Sequence, residues 1–222
     1  KVLFVLPTNS YLAYSNDNLA TNSVVAELLA GKVPVMSAAD LYLNEHREYG
    51  LSTYSMHSDG SGVCYSSRLR PILNMRPKYR HWLSPSLWQL NADLHLTDWL
   101  EEKNIEFDVM TDEDLHVEGV DLLNRYQVVL TGSHPEYSSE KMLAAYESYQ
   151  LNGGRWIYLG ADGFYWISEY HPDNLNIIEV RKGEAGTRAW TANPGEYNNA
   201  FDGKYGGMWR ARGRIPSKVC GL

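Results

Sequence analysis

Four short apolar runs alternate with longer segments of helical periodicity along this chain. The runs are residues 2–6, 107–110, 128–130 and 156–159. Each is short enough for a buried β-strand and too short for a buried helix. Strands that alternate with helices favour a parallel sheet with right-handed crossovers. The pattern therefore predicts an α/β fold with an open, mostly parallel sheet flanked by helices.

Two of the intervening segments have one apolar face at helical spacing. Residues 93–103 place Leu96, Trp99 and Leu100 on such a face, and residues 139–151 do the same with Met142, Leu143 and Tyr146. Ser138 or Ser139 supplies an N-cap for the second segment, and Asn152-Gly153-Gly154 ends it. We therefore expect one helix before the second strand and another before the fourth.

A long irregular stretch, residues 31–86, interrupts this rhythm. It contains Gly, Ser, Pro and Tyr where periodic apolar residues would be expected. Its tyrosines favour an ordered insert packed over the sheet, within a single α/β domain that spans residues 1–222. One further strand is predicted at residues 177–180. The tyrosines of the insert are Tyr42, Tyr49, Tyr54, Tyr65 and Tyr79.

The two ends of the sequence suggest a piece of a longer polypeptide. Lys1 is followed at once by an apolar run, with neither an initiator Met nor a leader, and the last residues contain no capping element. We therefore expect the domain to be truncated at both ends. Any function assigned to it could then require residues outside this sequence.

Composition and charge narrow the classes of function. The 222 residues are 44% hydrophobic and 12% aromatic, which is enough to fill a core and excludes disorder as the main state. A net charge of −7 argues against a nucleic acid partner, and the absence of an apolar run of eighteen residues argues against a membrane span. Cys64 and Cys220 lie far apart, which indicates neither a disulfide framework nor a zinc site and fits a reducing cytoplasm.

Polar residues follow three of the predicted strands. Ligands of open α/β sheets bind outside the carboxyl ends of the strands, so the segments 7–16, 131–137 and 160–163 are candidate site segments. His134-Pro135-Glu136 would bring an imidazole and a carboxylate towards one crevice. The alternative is that His134 and Glu136 form a capping pair at the entry of the following helix, where Glu136 would face the positive helix end.

Cys64 is a second candidate for chemistry. The layers of the predicted fold resemble those of class I glutamine amidotransferases, which use a nucleophilic cysteine. Ser61-Gly62-Val63-Cys64 follows no predicted strand and forms no strand–turn–helix elbow, which favours a free structural cysteine. A cysteine hydrolase and a scaffold without catalytic activity both stay open as alternatives at this point.

Distinctive segments are distributed in order over nearly the whole chain. They include Tyr11-Leu12-Ala13-Tyr14-Ser15-Asn16, Tyr49-Gly50-Leu51-Ser52-Thr53-Tyr54, Ala92-Asp93-Leu94-His95-Leu96, Thr131-Gly132-Ser133-His134-Pro135-Glu136-Tyr137 and Pro194-Gly195-Glu196-Tyr197. Together these segments resemble the large (β) subunit of N,N-dimethylformamidase. Members of that family are longer, with a β-sandwich portion before this region and further sequence after it.

The resemblance implies a mononuclear non-haem ferric iron held by Tyr14, Tyr54 and Glu136. Two phenolates and one carboxylate are hard oxygen donors whose three negative charges balance a ferric ion. The reaction implied is hydrolysis of dimethylformamide to dimethylamine and formate, in which metal-activated water attacks the formyl carbonyl. The family also implies a small (α) subunit as partner and association of large subunits with one another.

Two further residues acquire roles from the resemblance. His134 becomes the proton shuttle or oxyanion partner, since histidine exchanges protons near neutral pH. The family uses an amide side chain at the position of Asp162, and this departure puts the orientation of the substrate in question because a carboxylate only accepts hydrogen bonds. A later carboxylate of the family would lie beyond Leu222.

The implied ligand set leads to two structural expectations. The oxygens of Tyr14, Tyr54 and Glu136 should lie within about 4 Å of one another, given metal–oxygen bonds of about 2 Å. Without a metal, the two phenols should stay neutral, and crowding should raise the pKa of Glu136.

Overall fold

The computed structural model describes residues 1–18, 23–83, 86–183 and 188–221. Its strands are β1 (Val2–Leu6), β2 (Tyr65–Ser67), β3 (Phe107–Thr111), β4 (Val128–Thr131), β5 (Tyr137–Ser138), β6 (Arg155–Ile157), β7 (Trp166–Ile167), β8 (Glu169–His171) and β9 (Asn174–Glu179). Its α-helices are α1 (Thr8–Ala13), α2 (Ser23–Ala30), α3 (Ala38–Glu45), α4 (Leu90–Glu102), α5 (Asp112–Glu118), α6 (Val120–Leu123), α7 (Glu140–Leu151) and α8 (Ser217–Cys220). Arg47–Tyr49 and Trp209–Arg212 are 3₁₀ helices.

A four-stranded parallel sheet in the order β3-β1-β4-β6 confirms the predicted α/β class. Both faces of β1 are covered, which explains its unbroken apolar sequence. Leu3 and Val5 pack in one core cluster with residues of α5, α6 and α7, whereas Phe4 packs with Leu100 of α4 in another. From β1 the chain moves first to β3 on one side and then to β4 on the other. This reversal creates a crevice between the carboxyl ends of β1 and β4.

The fourth predicted strand, at residues 156–159, corresponds to β6, which spans Arg155–Ile157. It ends two residues earlier than predicted, because the chain leaves the sheet after Ile157. The Leu159 N–H is donated to the Thr131 hydroxyl at 3.0 Å, at the carboxyl end of β4. Helix α7 begins as predicted after Ser139, whose hydroxyl accepts the Met142 N–H. Helix α4 begins at Leu90, three residues earlier than the apolar spacing indicated.

The predicted strand at 177–180 overlaps β9, which begins three residues earlier and ends at Glu179, and β9 belongs to a different sheet. Strands β2, β9 and β8 form a separate antiparallel sheet, and β5 and β7 form a short parallel pair. An apolar run predicts a strand, but it carries no information about which strands will pair with it. The antiparallel sheet therefore joins β2, within the insert, to the later part of the chain.

The described residues of the insert are ordered by contacts with α1. The Thr53 N–H is donated to the carbonyl of Ala13 at 3.1 Å, and the Ser66 hydroxyl is donated to the carbonyl of Leu12 at 2.6 Å. The Arg70 guanidinium donates to the Leu51 carbonyl at 2.9 Å within the insert itself. These bonds fix the insert beside the carboxyl end of β1. Residues 84 and 85 of the insert lie outside the described residues.

In the described part of the chain, no helix is long and apolar enough to cross a membrane.

Candidate functional site

Tyr14, Tyr54 and Glu136 meet beyond the carboxyl ends of β1 and β4. Tyr14 directly follows α1, the short helix that begins two residues after β1. Glu136 lies in the loop between β4 and β5, and Tyr54 comes from the insert. The three residues thus reach the same crevice from three separate segments. This crevice is where open α/β sheets bind their ligands.

The oxygen atoms of these residues form a close cluster. The Tyr14 hydroxyl donates to Glu136 Oε2 at 2.7 Å, and the Tyr54 hydroxyl donates to the Tyr14 oxygen at 2.5 Å. The Tyr54 oxygen also lies 3.4 Å from Glu136 Oε1. Each of the three residues thus has an oxygen within 4 Å of the other two, as expected for a shared metal. The tyrosine rings stack with their centroids 4.3 Å apart, and Glu136 is only 2% exposed.

Ser10 and Asp93 hold the loop that carries Glu136. The hydroxyl oxygen of Ser10 in α1 accepts the N–H groups of Glu136 at 2.9 Å and Tyr137 at 3.2 Å. The carboxylate of Asp93 in α4 accepts the Ser133 N–H at 2.6 Å and the Tyr11 hydroxyl. The loop after β4 is therefore fixed to the helix after β1. This linkage sets the distance between Glu136 and the tyrosine that follows α1.

The position of Tyr54 depends on its neighbour Thr53. Both the N–H and the hydroxyl of Thr53 are donated to the Ala13 carbonyl, at 3.1 Å and 3.0 Å. The Thr53 carbonyl in turn accepts the Trp190 indole N–H at 2.8 Å. Trp190 packs so closely on Gly62 that a Cβ there would lie 1.9 Å from its ring. A glycine is thus required at position 62 for the indole to reach Thr53.

His134 and Asp162 extend the site towards solvent. His134 Nε2 lies 3.0 Å from Glu136 Oε2 and 3.8 Å from Asp162 Oδ2. The Asp162 side chain is 56% exposed, whereas His134 is buried. Trp88 places its ring edge-on to both Tyr14 and His134, with centroid distances of 4.8 Å and 5.2 Å. The imidazole therefore stands between the buried oxygens and the exposed carboxylate.

Lys182 is the site residue that sequence reasoning missed. It is fully buried, and its Nζ lies over the rings of Tyr54 and Trp166, 4.4 Å and 4.2 Å from their centroids. It donates a hydrogen bond to the Tyr137 hydroxyl, and that oxygen lies 2.7 Å from the Tyr54 oxygen. Burial lowers the pKa of Lys182 to about 7, although the carboxylate of Glu136 opposes the shift. Arg181-Lys182 follows a strand like an ordinary exposed basic pair, so no pattern in the sequence indicated its burial.

The electrostatics of the cluster agree with one expectation and contradict another. Burial, together with the nearby Glu136 carboxylate, raises the pKa values of Tyr14 and Tyr54, so both phenols stay neutral without a cation. The expected rise in the pKa of Glu136 is wrong. Burial acts in that direction, but the hydrogen bond and charge of His134 and the charge of Lys182 outweigh it, and the Glu136 pKa is lowered.

The donor set suits a hard, highly charged metal ion. In the described part of the chain, histidine, cysteine, aspartate and glutamate alone form no group of three that could hold a metal. A metal at this crevice would therefore require the tyrosine oxygens. Two phenol oxygens and one carboxylate match the preference of ferric iron for hard oxygen ligands, and three ionised donors would balance its charge. The residues present fit the ion that the sequence resemblance implied.

Cys64 lies beside β2 in a different environment. Its thiol donates a hydrogen bond to the Gly62 carbonyl at 3.6 Å. Burial raises the pKa of this thiol, which disfavours the nucleophilic thiolate. The structure therefore does not bring Cys64 together with the other predicted site residues.

The fold and the site define a class: α/β domains with a doubly wound sheet and a polar site at the topological switch point. Within this class, the family described as N,N-dimethylformamidase beta subunit-like, C-terminal, matches residues 1–222, and the chain belongs to it. The chain is 48% identical over 222 residues to an N,N-dimethylformamidase beta subunit of Paracoccus aminophilus, and 47% identical over 221 residues to one of Alcaligenes sp.. These matches cover 100% and 99% of this chain but 29% of each relative, so the chain spans about 29% of their length.

Proposed function

We propose that this chain carries the metal site of an iron-dependent amide hydrolase that converts dimethylformamide and water to dimethylamine and formate. The observation that carries the proposal is the convergence of Tyr14, Tyr54 and Glu136 oxygens at the crevice between β1 and β4. Membership of the dimethylformamidase beta subunit-like family supports the substrate class. The substrate range of the whole protein belongs to the same proposal.

Tyr14, Tyr54 and Glu136 would hold the ferric ion. When bound, such an ion supplies Lewis-acid activation of the formyl carbonyl and of water near neutral pH. Tyr54 and Glu136 are buried and Tyr14 is half-buried, so little solvent competes for their oxygens, which strengthens electrostatic interactions at the site. The hydrolysis requires no change of oxidation state.

His134 would hold and move the proton of the reaction. Its Nε2 lies beside Glu136 and faces Asp162, so it can exchange a proton between the buried cluster and the exposed edge. Release of dimethylamine requires a proton on the leaving nitrogen, and we assign its delivery to His134 Nε2.

Asp162 would act at the solvent edge of the site. Dimethylformamide has no N–H group, so an ionised carboxylate at this position has no donor on the substrate to bind. Its Oδ2 atom lies 3.8 Å from His134 Nε2. We therefore assign Asp162 to the orientation of His134 and of substrates that carry an N–H group.

The assembly is part of the same proposal. The two relatives are named as beta subunits, which supports a smaller partner subunit for the protein that contains this chain. We propose association with such an α subunit and of the large subunits with one another. The charge of −7 gives no reason to expect a nucleic acid in that assembly.

Two other functions compete with this proposal. A cysteine hydrolase would use Cys64, but the raised pKa of that thiol and its position beside β2 argue against it. A scaffold without catalytic activity would keep the fold and lose the reaction, and the carboxylate of Asp162 is the feature that favours it.

The test uses the full-length subunit with its partner. Formate and dimethylamine are measured from dimethylformamide in the native protein, after removal of iron by a chelator, and after iron is restored. We expect release that falls with iron removal and returns with iron, and that is unchanged in Cys64→Ala. Release that is unaffected by chelation but lost in Cys64→Ala would establish the cysteine hydrolase. Iron binding without release would favour the scaffold.

A further inference from the structure

Lys182 is a buried cation whose direct hydrogen-bond partner is a neutral phenol. It is fully buried, and it donates its hydrogen bond to the Tyr137 hydroxyl rather than to a carboxylate. It is surrounded by the rings of Tyr54, Tyr137 and Trp166. A buried charge without a paired anion is costly. Its presence beside the candidate ligands therefore calls for a functional explanation.

The hydrogen bonds from Lys182 run in one direction. Lys182 Nζ donates to the Tyr137 oxygen, which leaves the hydroxyl hydrogen of Tyr137 available for the Tyr54 oxygen at 2.7 Å. The Tyr54 hydroxyl donates to Tyr14 at 2.5 Å, and the Tyr14 hydroxyl donates to Glu136 at 2.7 Å. Every donor in this relay thus points towards the Glu136 carboxylate.

We propose that Lys182 is a positioning residue that acts through Tyr137: it orients the Tyr137 hydroxyl so that this group donates a hydrogen bond to the Tyr54 oxygen. This inference rests on the proposed function, in which that oxygen is a metal ligand. A donated hydrogen bond withdraws electron density from a ligand oxygen. The relay would therefore set how strongly Tyr54 donates electrons to the ferric ion, and it would hold the ligand oxygen in place.

A purely structural role would have different consequences. A lysine over three aromatic rings stabilises the fold through cation–π attraction, whether or not a metal binds nearby. Such a role would affect stability only. Control of the Tyr54 oxygen would also change the colour of the iron site, because the charge-transfer energy depends on the electron density of the tyrosinate oxygen.

The test compares four variants of the full-length subunit with its partner: Lys182→Met, Tyr137→Phe, the double variant and Tyr149→Phe. The last is a matched control, since Tyr149 is also buried and donates to the Tyr126 carbonyl at 3.1 Å, away from the cluster. Iron per chain, the maximum of the visible charge-transfer band and kcat/KM are measured in each.

We expect the band of Lys182→Met and of Tyr137→Phe to move to lower energy, because the Tyr54 oxygen becomes richer in electrons. Iron affinity or kcat/KM should fall about 10- to 100-fold, as for other residues that support metal ligands. Since Lys182 acts through Tyr137, the double variant should be no worse than Tyr137→Phe. Tyr149→Phe should keep the band of the unmodified protein.

Three results would overturn the inference and leave the proposed function standing. An unshifted band in Lys182→Met and Tyr137→Phe would leave Lys182 a structural role only. A shift in Lys182→Met without one in Tyr137→Phe would show that the lysine does not act through that phenol. If Lys182→Met fails to fold, Tyr137→Phe decides, and an unshifted band there overturns the relay. An unmodified protein without iron and without colour would instead refute the proposed function, and the relay with it.

Discussion

Ser10→Ala tests the linkage that sets the geometry of the site. The Ser10 oxygen accepts two N–H groups, from Glu136 at 2.9 Å and from Tyr137 at 3.2 Å, and Ser10 is fully buried. The substitution removes one oxygen and introduces no steric clash. Its effect therefore reports on these two hydrogen bonds.

The free-energy cost of Ser10→Ala depends on which hydrogen-bond acceptors the N–H groups of Glu136 and Tyr137 keep. The Glu136 N–H keeps a second acceptor, the His134 carbonyl at 2.9 Å. Loss of its hydrogen bond to Ser10 therefore costs about 0.5–1.5 kcal/mol. The Tyr137 N–H loses the acceptor that it has now, which costs about 1–3 kcal/mol for a buried donor. Together these losses amount to about 1.5–4.5 kcal/mol. This corresponds to about 10-fold to 2,000-fold in the equilibrium for local opening, at about 1.4 kcal/mol per factor of ten.

Hydrogen exchange of residues 133–139 in the full-length subunit measures this opening. We expect protection to fall by about 10-fold or more in Ser10→Ala, together with reduced iron content. Ser15→Ala is the matched control, because the buried Ser15 hydroxyl donates to the Tyr11 carbonyl at 2.9 Å and its removal leaves no N–H without an acceptor. Unchanged protection and iron content in Ser10→Ala would refute the assigned linkage.

Two further predictions concern proton transfer and pH. His134→Asn should keep iron and colour but lower turnover by about 100-fold or more, because it removes the proton carrier beside Glu136; loss of iron with this variant would show that His134 binds the metal. Burial, with a smaller effect of Lys141, lowers the pKa of His116 to about 4 in the folded chain, below the ordinary value of about 6.5. The unfolded chain then binds more protons between these values, so stability should fall as pH decreases from about 6.5 to about 4, by at most about 1 kcal/mol per pH unit. His116→Gln should flatten this dependence in denaturation curves, and identical curves would contradict the argument.

The parts of the fold that follow from local pattern could be predicted from the sequence. Strands β1 and β4 are largely buried, so each appears as an unbroken apolar run. The edge strand β3 is only partly buried and contains Asp108, but its other residues still favour a strand. The rule that ligands bind at the carboxyl ends of such strands identified the segments that carry Tyr14 and Glu136. The pairing of β9 could not be predicted, because it depends on contacts with β2 in the distant insert.

Prediction of the site residues required more than the local sequence pattern. Tyr54 lies in an irregular segment, and only the family resemblance distinguished it from the other tyrosines of the insert. Lys182 reaches the cluster through contacts with Tyr54 and Tyr137, which are far from it in sequence. The direction of the Glu136 pKa shift depends on the distances to His134 and Lys182, which only the folded chain defines.

The most direct test of the metal site is the iron content and visible spectrum of the full-length subunit with Tyr54→Phe. The variant deletes one proposed ligand oxygen and keeps the ring that stacks on Tyr14. The account predicts that the unmodified protein contains iron and has a tyrosinate charge-transfer band, and that Tyr54→Phe loses part of the band and most of its turnover, whereas Tyr149→Phe retains both. A colourless, iron-free protein with full amidase activity, or a Tyr54→Phe variant with unchanged iron and spectrum, would contradict it.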